Sequence, residues 1–367
     1  MNTKIIASVI LIAILFFALG ASTNFEIVKK FVLDTPEKNV EPLNFMNKFE
    51  INELIDIKTQ NELLDERSFL INFIWKDEKL PEDLPNTIIE NFEDTELQEI
   101  NNLKQINKLE TISEYNINSI SYHFIPEKSN NHLVIYHHGH GDDFTKGIET
   151  IEYLLNEEFS VLAFSMPLTG KNNQPVVDHP SFGKIKIMSH NHLALLEADD
   201  FEPIKLFFEP LVRGLNYLDS NFDYDSYSMI GISGGGWTTT IFSAIDERIS
   251  KSFSVAGSYP IYLRSEPKNF GDYEQTYFEL YSQVNYLEFY ILGSYERYQL
   301  QIFNEFDPCC FSGNAGKTFD FIIQETITDI GTGNFEVFID ESQNQHKISK
   351  KILRNNSSKI IEKISQK

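Results

Sequence analysis

The chain has 367 residues and carries 31 Lys and Arg against 54 Asp and Glu, a formal net charge of −23. That excess of acid argues against a nucleic-acid or anionic-lipid surface, which would need clustered Lys and Arg, so no nucleic-acid partner is expected. With 41 % hydrophobic and 13 % aromatic residues it can build a large core, which excludes pervasive disorder. Its two cysteines, adjacent at Cys309 and Cys310, exclude a disulfide scaffold and a zinc ribbon.

Taken in chain order, the first element is MNTKIIASVILIAILFFALGASTNF. Lys4 precedes an apolar run from Ile5 to Leu19, followed by small residues Gly20, Ala21 and Ser22. This is the pattern of an export signal, and the run is only slightly shorter than a membrane-spanning helix. Residues 1–22 are therefore expected to be a cleaved signal peptide or an uncleaved membrane anchor, placing the remainder outside the cytoplasm.

Residues 23–115 read as an acidic, mainly helical extension. Between 25 and 115 there are ten Lys and Arg against twenty-one Asp and Glu, and Leu63, Leu64, Leu70, Ile71 and Ile74 recur at helical spacing. Pro81 and Pro85 interrupt the pattern, and the expected role is a layer packed on the main domain or a spacer.

From residue 116 to 367 the texture changes. Ile120 to Ile125 alternates like an edge strand, while His132–Tyr136, Ser160–Phe164, Tyr227–Ile232 and Lys251–Val255 are short apolar runs typical of buried strands. Helical stretches fall at Thr145–Asn156 and Pro203–Leu218. The series ends with strands at Leu300–Phe303 and Phe335–Ile339, with another helix between. Alternation of this kind predicts an α/β fold, a mostly parallel twisted sheet with helices on both faces.

The chemistry-bearing motif is Gly231-Ile232-Ser233-Gly234-Gly235, at the end of the strand YSMIGI and ahead of a helix from Trp237. A serine nucleophile must project from a tight strand-to-helix turn, and small neighbours let strand and helix pass closely there. No Lys follows the glycines, which argues against a phosphate-binding loop.

In this motif and its context, residues 117–367 resemble the α/β-hydrolase superfamily of serine esterases, lipases and peptidases. The resemblance implies a triad in the chain order nucleophile, acid, histidine. His346, in the loop SQNQH, alone among the histidines follows Ser233, and it takes the place of the base. Asp307 matches the position of the family's acid. Asp340 is its main rival, and Glu305 and Asp320 are weaker ones. The oxyanion hole is expected from the backbone N–H groups of Gly234 and His140. The latter stands in His137-His138-Gly139-His140-Gly141, where the family's loop carries glycine.

The implied reaction is hydrolysis of a carboxylic ester, on a small molecule or an acylated sugar, through an acyl-enzyme, with no cofactor and no catalytic metal. Peptidase chemistry on the same fold is the alternative. Two other readings stay open. His138-x-His140-x-Asp142, joined by His190 and His192, resembles the start of a metallo-β-lactamase-type zinc motif, although Asp143 stands where that pattern continues with histidine. A catalytically silent binding protein on the same fold is the other. His179, His190 and His192 fall where such folds line the substrate cleft. Tyr259–Arg264 and Gly271–Gln275, after the strand Lys251–Val255, are expected to cover it. Tyr273, Tyr277, Tyr281 and Tyr286 belong either to an acyl or sugar pocket or to the core. Cys309 and Cys310 are either two free thiols or a strained vicinal disulfide.

Overall fold

The computed structural model describes residues 50–365 except 98, 142 and 355–359. The expected leader at 1–22, and the extension as far as residue 49, lie outside the described residues. The chain divides into units 1–53 and 54–367, and among the described residues every strand and every longer helix belongs to the second unit. Among the described residues no helix is long and apolar enough to cross a membrane.

A nine-stranded sheet forms the centre. Its strands in chain order are β1 (Thr87–Ile89), β2 (Leu103–Ile112), β3 (Asn118–Pro126), β4 (His132–His137), β5 (Ser160–Phe164), β8 (Ser226–Ile232), β9 (Ile249–Val255), β10 (Tyr298–Asn304) and β11 (Asn334–Asp340). β6 (Val176–His179) and β7 (Gly183–Lys186) make a separate hairpin. The spatial order is β1-β2-β3-β5-β4-β8-β9-β10-β11. The six strands from β5 to β11 are parallel, and the β1–β2, β2–β3 and β3–β5 pairs are antiparallel. β5 is wholly buried, and β8 and β10 are buried beyond their first residues, as continuous apolar runs in a two-sided sheet should be.

The longer helices are α1 (Gln60–Trp75), α2 (Ile148–Asn156), α3 (Lys205–Asn221), α4 (Gly234–Ile245), α5 (Tyr286–Ser294) and α6 (Lys317–Ile330). Every residue of α4 is buried. Its run of three threonines is tolerated there because Thr238, Thr239 and Thr240 each donate the hydroxyl to the carbonyl four residues back, at 2.8–3.1 Å.

Two expectations need correction. Helix in the N-terminal extension is realised in α1, with Thr59 as its cap and Leu63, Leu70 and Ile74 buried. β1 and β2, however, are strands of the main sheet, so the sheet begins well before residue 116. The expected edge strand around Ile120–Ile125 is consequently interior, because β2 covers its outer side. α1 is tied to the main domain by Arg67. Its Nε donates to Ala244 O and its Nη2 to Leu292 O, both at 3.0 Å, which places a cation at the C-terminal turns of α4 and α5.

The topology also locates the site. From β4 the chain passes through α2 to β5 on one side, then returns through α3 to β8 on the other side of β4. In open α/β sheets the crevice at such a reversal, beyond the carboxyl ends of the strands, is where ligands bind. The segments leaving β4 and β8 at that end carry His137–Gly141 and Ser233.

Candidate active site

Ser233 sits between β8 and α4 with φ 58° and ψ −125°. For a non-glycine residue this is a strained conformation, held only where surroundings enforce it. Here they do: Ser233 N–H donates to Val255 O at 2.9 Å, and Ser233 O accepts from Trp237 N at 2.9 Å. The turn also needs Gly235, since a Cβ there would lie 2.1 Å from His137 O.

Asp307 and His346, the residues expected as acid and base, lie side by side. His346 Nδ1 lies 2.8 Å from Asp307 Oδ2, in the loops after β11 and β10. Asp307 is buried, and its Oδ1 accepts from Cys309 N–H at 2.9 Å. Burial alone would raise its pKa, but the hydrogen bonds from His346 and Cys309, with the charge of the imidazole, hold the carboxyl below the usual carboxylate range. Nε2 of His346 faces the Cys310 thiol, with Sγ at 4.0 Å. No hydrogen bond joins it to Ser233 Oγ here; such bonds are often long in ligand-free enzymes and tighten around substrate.

None of the rival acids pairs with His346 among the described residues. Asp340 accepts from Ser342 N–H and Oγ–H on Oδ1 and from Ser349 Oγ–H on Oδ2. Asp320 pairs with Lys317 and accepts from Val337 N–H. Glu305 has no side-chain hydrogen bond among the described residues.

Gly139 packs on Ser233, because a Cβ added to it would stand 2.6 Å from Ser233 Cβ. The His140 ring lies against Gly234, with Nδ1 2.6 Å from where a Gly234 Cβ would be. Neither the His140 nor the Gly234 N–H donates to another group among the described residues. Both remain available to an anion, as an oxyanion hole requires.

The alternative zinc constellation does not assemble as a set among the described residues. His138 Nδ1 is 2.9 Å from Tyr136 Oη, His192 Nδ1 accepts from Met188 N–H, and Asp142 lies outside the described residues. Instead His140 and His190 converge on a carboxylate that sequence reasoning missed. His140 Nε2 is 2.5 Å from Glu274 Oε1, and His190 Nδ1 is 3.1 Å from Oε2. Glu274 is fully buried. Burial opposes its ionisation, but the two imidazoles hold its pKa well below the usual range, and Glu274 in turn raises that of His190 against the effect of burial. Asp272 lies 3.6 Å from His140 Nε2. The only sequence signal for either carboxylate is its place in the segment after β9, next to the cleft.

The tyrosines in this segment are framework. Tyr281 stacks on Tyr286 at 4.7 Å and links Trp237 Nε1–H to Glu274 O, while Tyr273 and Tyr277 pack together and are buried. His179 lies on the β6–β7 hairpin. Cys309 and Cys310 are free thiols, the first exposed and the second buried.

No protein-family model matches the sequence, and no curated protein matches it. Among solved structures, acetyl xylan esterase from Paenibacillus sp. R4 superimposes with TM-score 0.51 at 14 % identity, covering 80 % of this chain and 92 % of that one. The chain has the α/β-hydrolase fold. Weaker likenesses are acetyl xylan esterase 1 from Thermoanaerobacterium sp. JW/SL YS485 (TM-score 0.48, 14 % identity, 82 % and 95 % covered) and esterase Pf2001 from Pyrococcus furiosus (0.45, 17 %, 74 % and 92 %). At these identities the likeness concerns the fold, and the chemistry rests on the residues of this chain.

Proposed function

We propose that this protein is a serine hydrolase acting on carboxylic esters. The observation that carries the reading is Ser233, held at positive φ between β8 and α4, in a fold whose later loops bring Asp307 onto His346. In this reading Ser233 Oγ attacks the acyl carbonyl while His346 Nε2 takes its proton. Asp307 holds the proton of the imidazole on Nδ1 and stabilises the imidazolium. The oxyanion is met by the N–H groups of His140 and Gly234. The alcohol leaves with the proton returned by His346, and water repeats the sequence on the acyl-enzyme.

The first substrates to try are short acyl esters of small alcohols and sugars; the Paenibacillus protein is an acetyl xylan esterase. Lys4 and the apolar run Ile5–Leu19 support an exported or membrane-anchored protein. The mass of the mature N-terminus and cell fractionation test that placement.

The mechanism is tested by labelling with a fluorophosphonate probe, which phosphonylates an activated serine. Wild type is expected to label, and Ser233→Ala and His346→Ala to lose labelling while unfolding at similar temperatures. A folded wild-type protein that does not label refutes the mechanism and favours a silent binding protein on this fold.

A further inference from the structure

We propose that His140, His190, Asp272 and Glu274 form a binding site for a divalent transition-metal cation, Zn²⁺ by the nature of the donors, beside the oxyanion hole. Three well-separated segments contribute: the loop after β4, the turn before α3 and the segment after β9. One ligand atom from each of the four side chains lies within 4.8 Å of all the others. The closest approaches are 2.5, 3.1 and 3.6 Å. The 3.1 and 3.6 Å separations lie near the edge of about 3.4 Å expected of a tetrahedron with metal–ligand bonds near 2.1 Å, while the 2.5 Å contact, to the other oxygen of Glu274, is of hydrogen-bond length and would open around a cation. Two imidazoles and two carboxylates suit Zn²⁺ better than Mg²⁺ or Ca²⁺, which prefer oxygen alone.

The surroundings of His190 point the same way. Its Nε2 is 2.9 Å from Pro167 O, a group that only accepts, so the ring proton belongs on Nε2. The lone pair of Nδ1 is then directed at Glu274, a second acceptor, and a positive centre must lie between them. A backbone carbonyl that fixes the tautomer and orientation of an imidazole is a usual outer partner of a metal ligand. Glu274 has no exposure to solvent, and among the described residues no Lys or Arg pairs with its carboxylate. A cation here would fasten the His140 loop, which carries one N–H of the oxyanion hole, to the segment that covers the cleft. Its role is structural and takes no part in the ester chemistry.

The test is metal content by plasma mass spectrometry and thermal unfolding. The chain is stripped with chelator, incubated with Zn²⁺ and dialysed. A Cys309→Ser, Cys310→Ser double variant is run in parallel, because those thiols and His346 form a second group close enough to bind metal. The site predicts about one Zn²⁺ per chain, retained without the cysteines, and a Tm raised by about 4 °C or more at saturation. His190→Gln and the milder Asp272→Asn, at a partly exposed position, should each weaken Zn²⁺ binding at least about tenfold. The proposal is overturned if the wild type retains no Zn²⁺, if the metal is lost with the cysteines, or if both ligand variants bind within about twofold of wild type. In the first case protons on the two imidazoles supply the positive charge.

Discussion

Replacing Asp307 by Asn tests the proposed acid most sharply, because the geometry dictates what the amide must do. Oδ1 accepts from Cys309 N–H, so in Asp307→Asn the amide oxygen stays on that side and the NH₂ group turns toward His346. Nδ1 must then accept, which moves the ring proton to Nε2, the atom that has to receive the proton of Ser233. Two losses combine. A carboxylate facing an imidazolium at a charge separation of about 4 Å is worth about 4 kcal/mol at an effective dielectric constant near 20, or about a thousandfold in rate. The inverted tautomer raises the expected loss in kcat to about 10⁴-fold. Asp340→Asn is the matched control. Its carboxylate holds Ser342 and Ser349, so it should cost about 1–3 kcal/mol of stability and less than about tenfold in kcat. Hydrolysis of p-nitrophenyl acetate gives the rates, and thermal unfolding corrects for the folded fraction. Asp307→Asn within tenfold of wild type, or Asp340→Asn slowed a thousandfold, would refute the assignment.

Two further outcomes follow from packing and burial. Gly235→Ala places a methyl group 2.1 Å from His137 O and 2.7 Å from His138 O, backbone that cannot move without displacing β4. It should destabilise by about 3 kcal/mol or more, read by urea unfolding, and unchanged stability would contradict the close approach. Glu66 on α1 has its pKa raised to about 8 by burial, by the charge of Glu288 and by Asp56. Its folded form holds the proton more tightly than the unfolded chain, so this contribution is full below about pH 4.5 and is lost as pH rises to about 8. The drop in Tm from pH 5 to pH 8.5 should therefore be smaller in Glu66→Gln than in wild type, and an equal drop would sink the argument.

The parallel half of the sheet was legible because buried parallel strands read as unbroken apolar runs. HLVIY, SVLAF and YSMIGI could hardly be anything else between turn signals. The elbow was legible because its glycines answer a steric demand within five residues. β2 was hidden for the opposite reason. Leu103, Ile106, Leu109 and Ile112 recur every third residue, which imitates a helix. The strand instead buries Asn107, Leu109 and Thr111 on alternate positions, and Asn107 is satisfied there by Gln105, Asn91 and Tyr217. Polar residues that find partners inside erase the period-two signal. Glu274 was hidden because it is one of 54 acidic residues and its partners lie 84 and 134 positions away. Only the tertiary fold distinguishes it from a solvated carboxylate.

Chain order chose His346 as base, and hydrogen bonding offers a second, independent reason. A base of this kind needs a carboxylate at one ring nitrogen and an uncommitted second nitrogen. Among the nine histidines, His123 and His137 are buried, with pKa values lowered to about 3 and about 4, and are bound to Tyr224 Oη and His138 O. His132, His179 and His192 engage Ser226 or backbone N–H groups and pair with no carboxylate among the described residues, and Nδ1 of His138 is taken by Tyr136 Oη. His190 has both nitrogens occupied. That leaves His346, whose Nε2 meets only the weakly bonding Cys310 thiol at 4.0 Å, and His140. His140 shares its carboxylate with His190, and its Nδ1, without a hydrogen-bond partner among the described residues, lies against Gly234. Asp307 serves one imidazole only and turns its other oxygen to a backbone N–H. The labelling experiment separates the two, since an enzyme that used His140 would still react after His346→Ala.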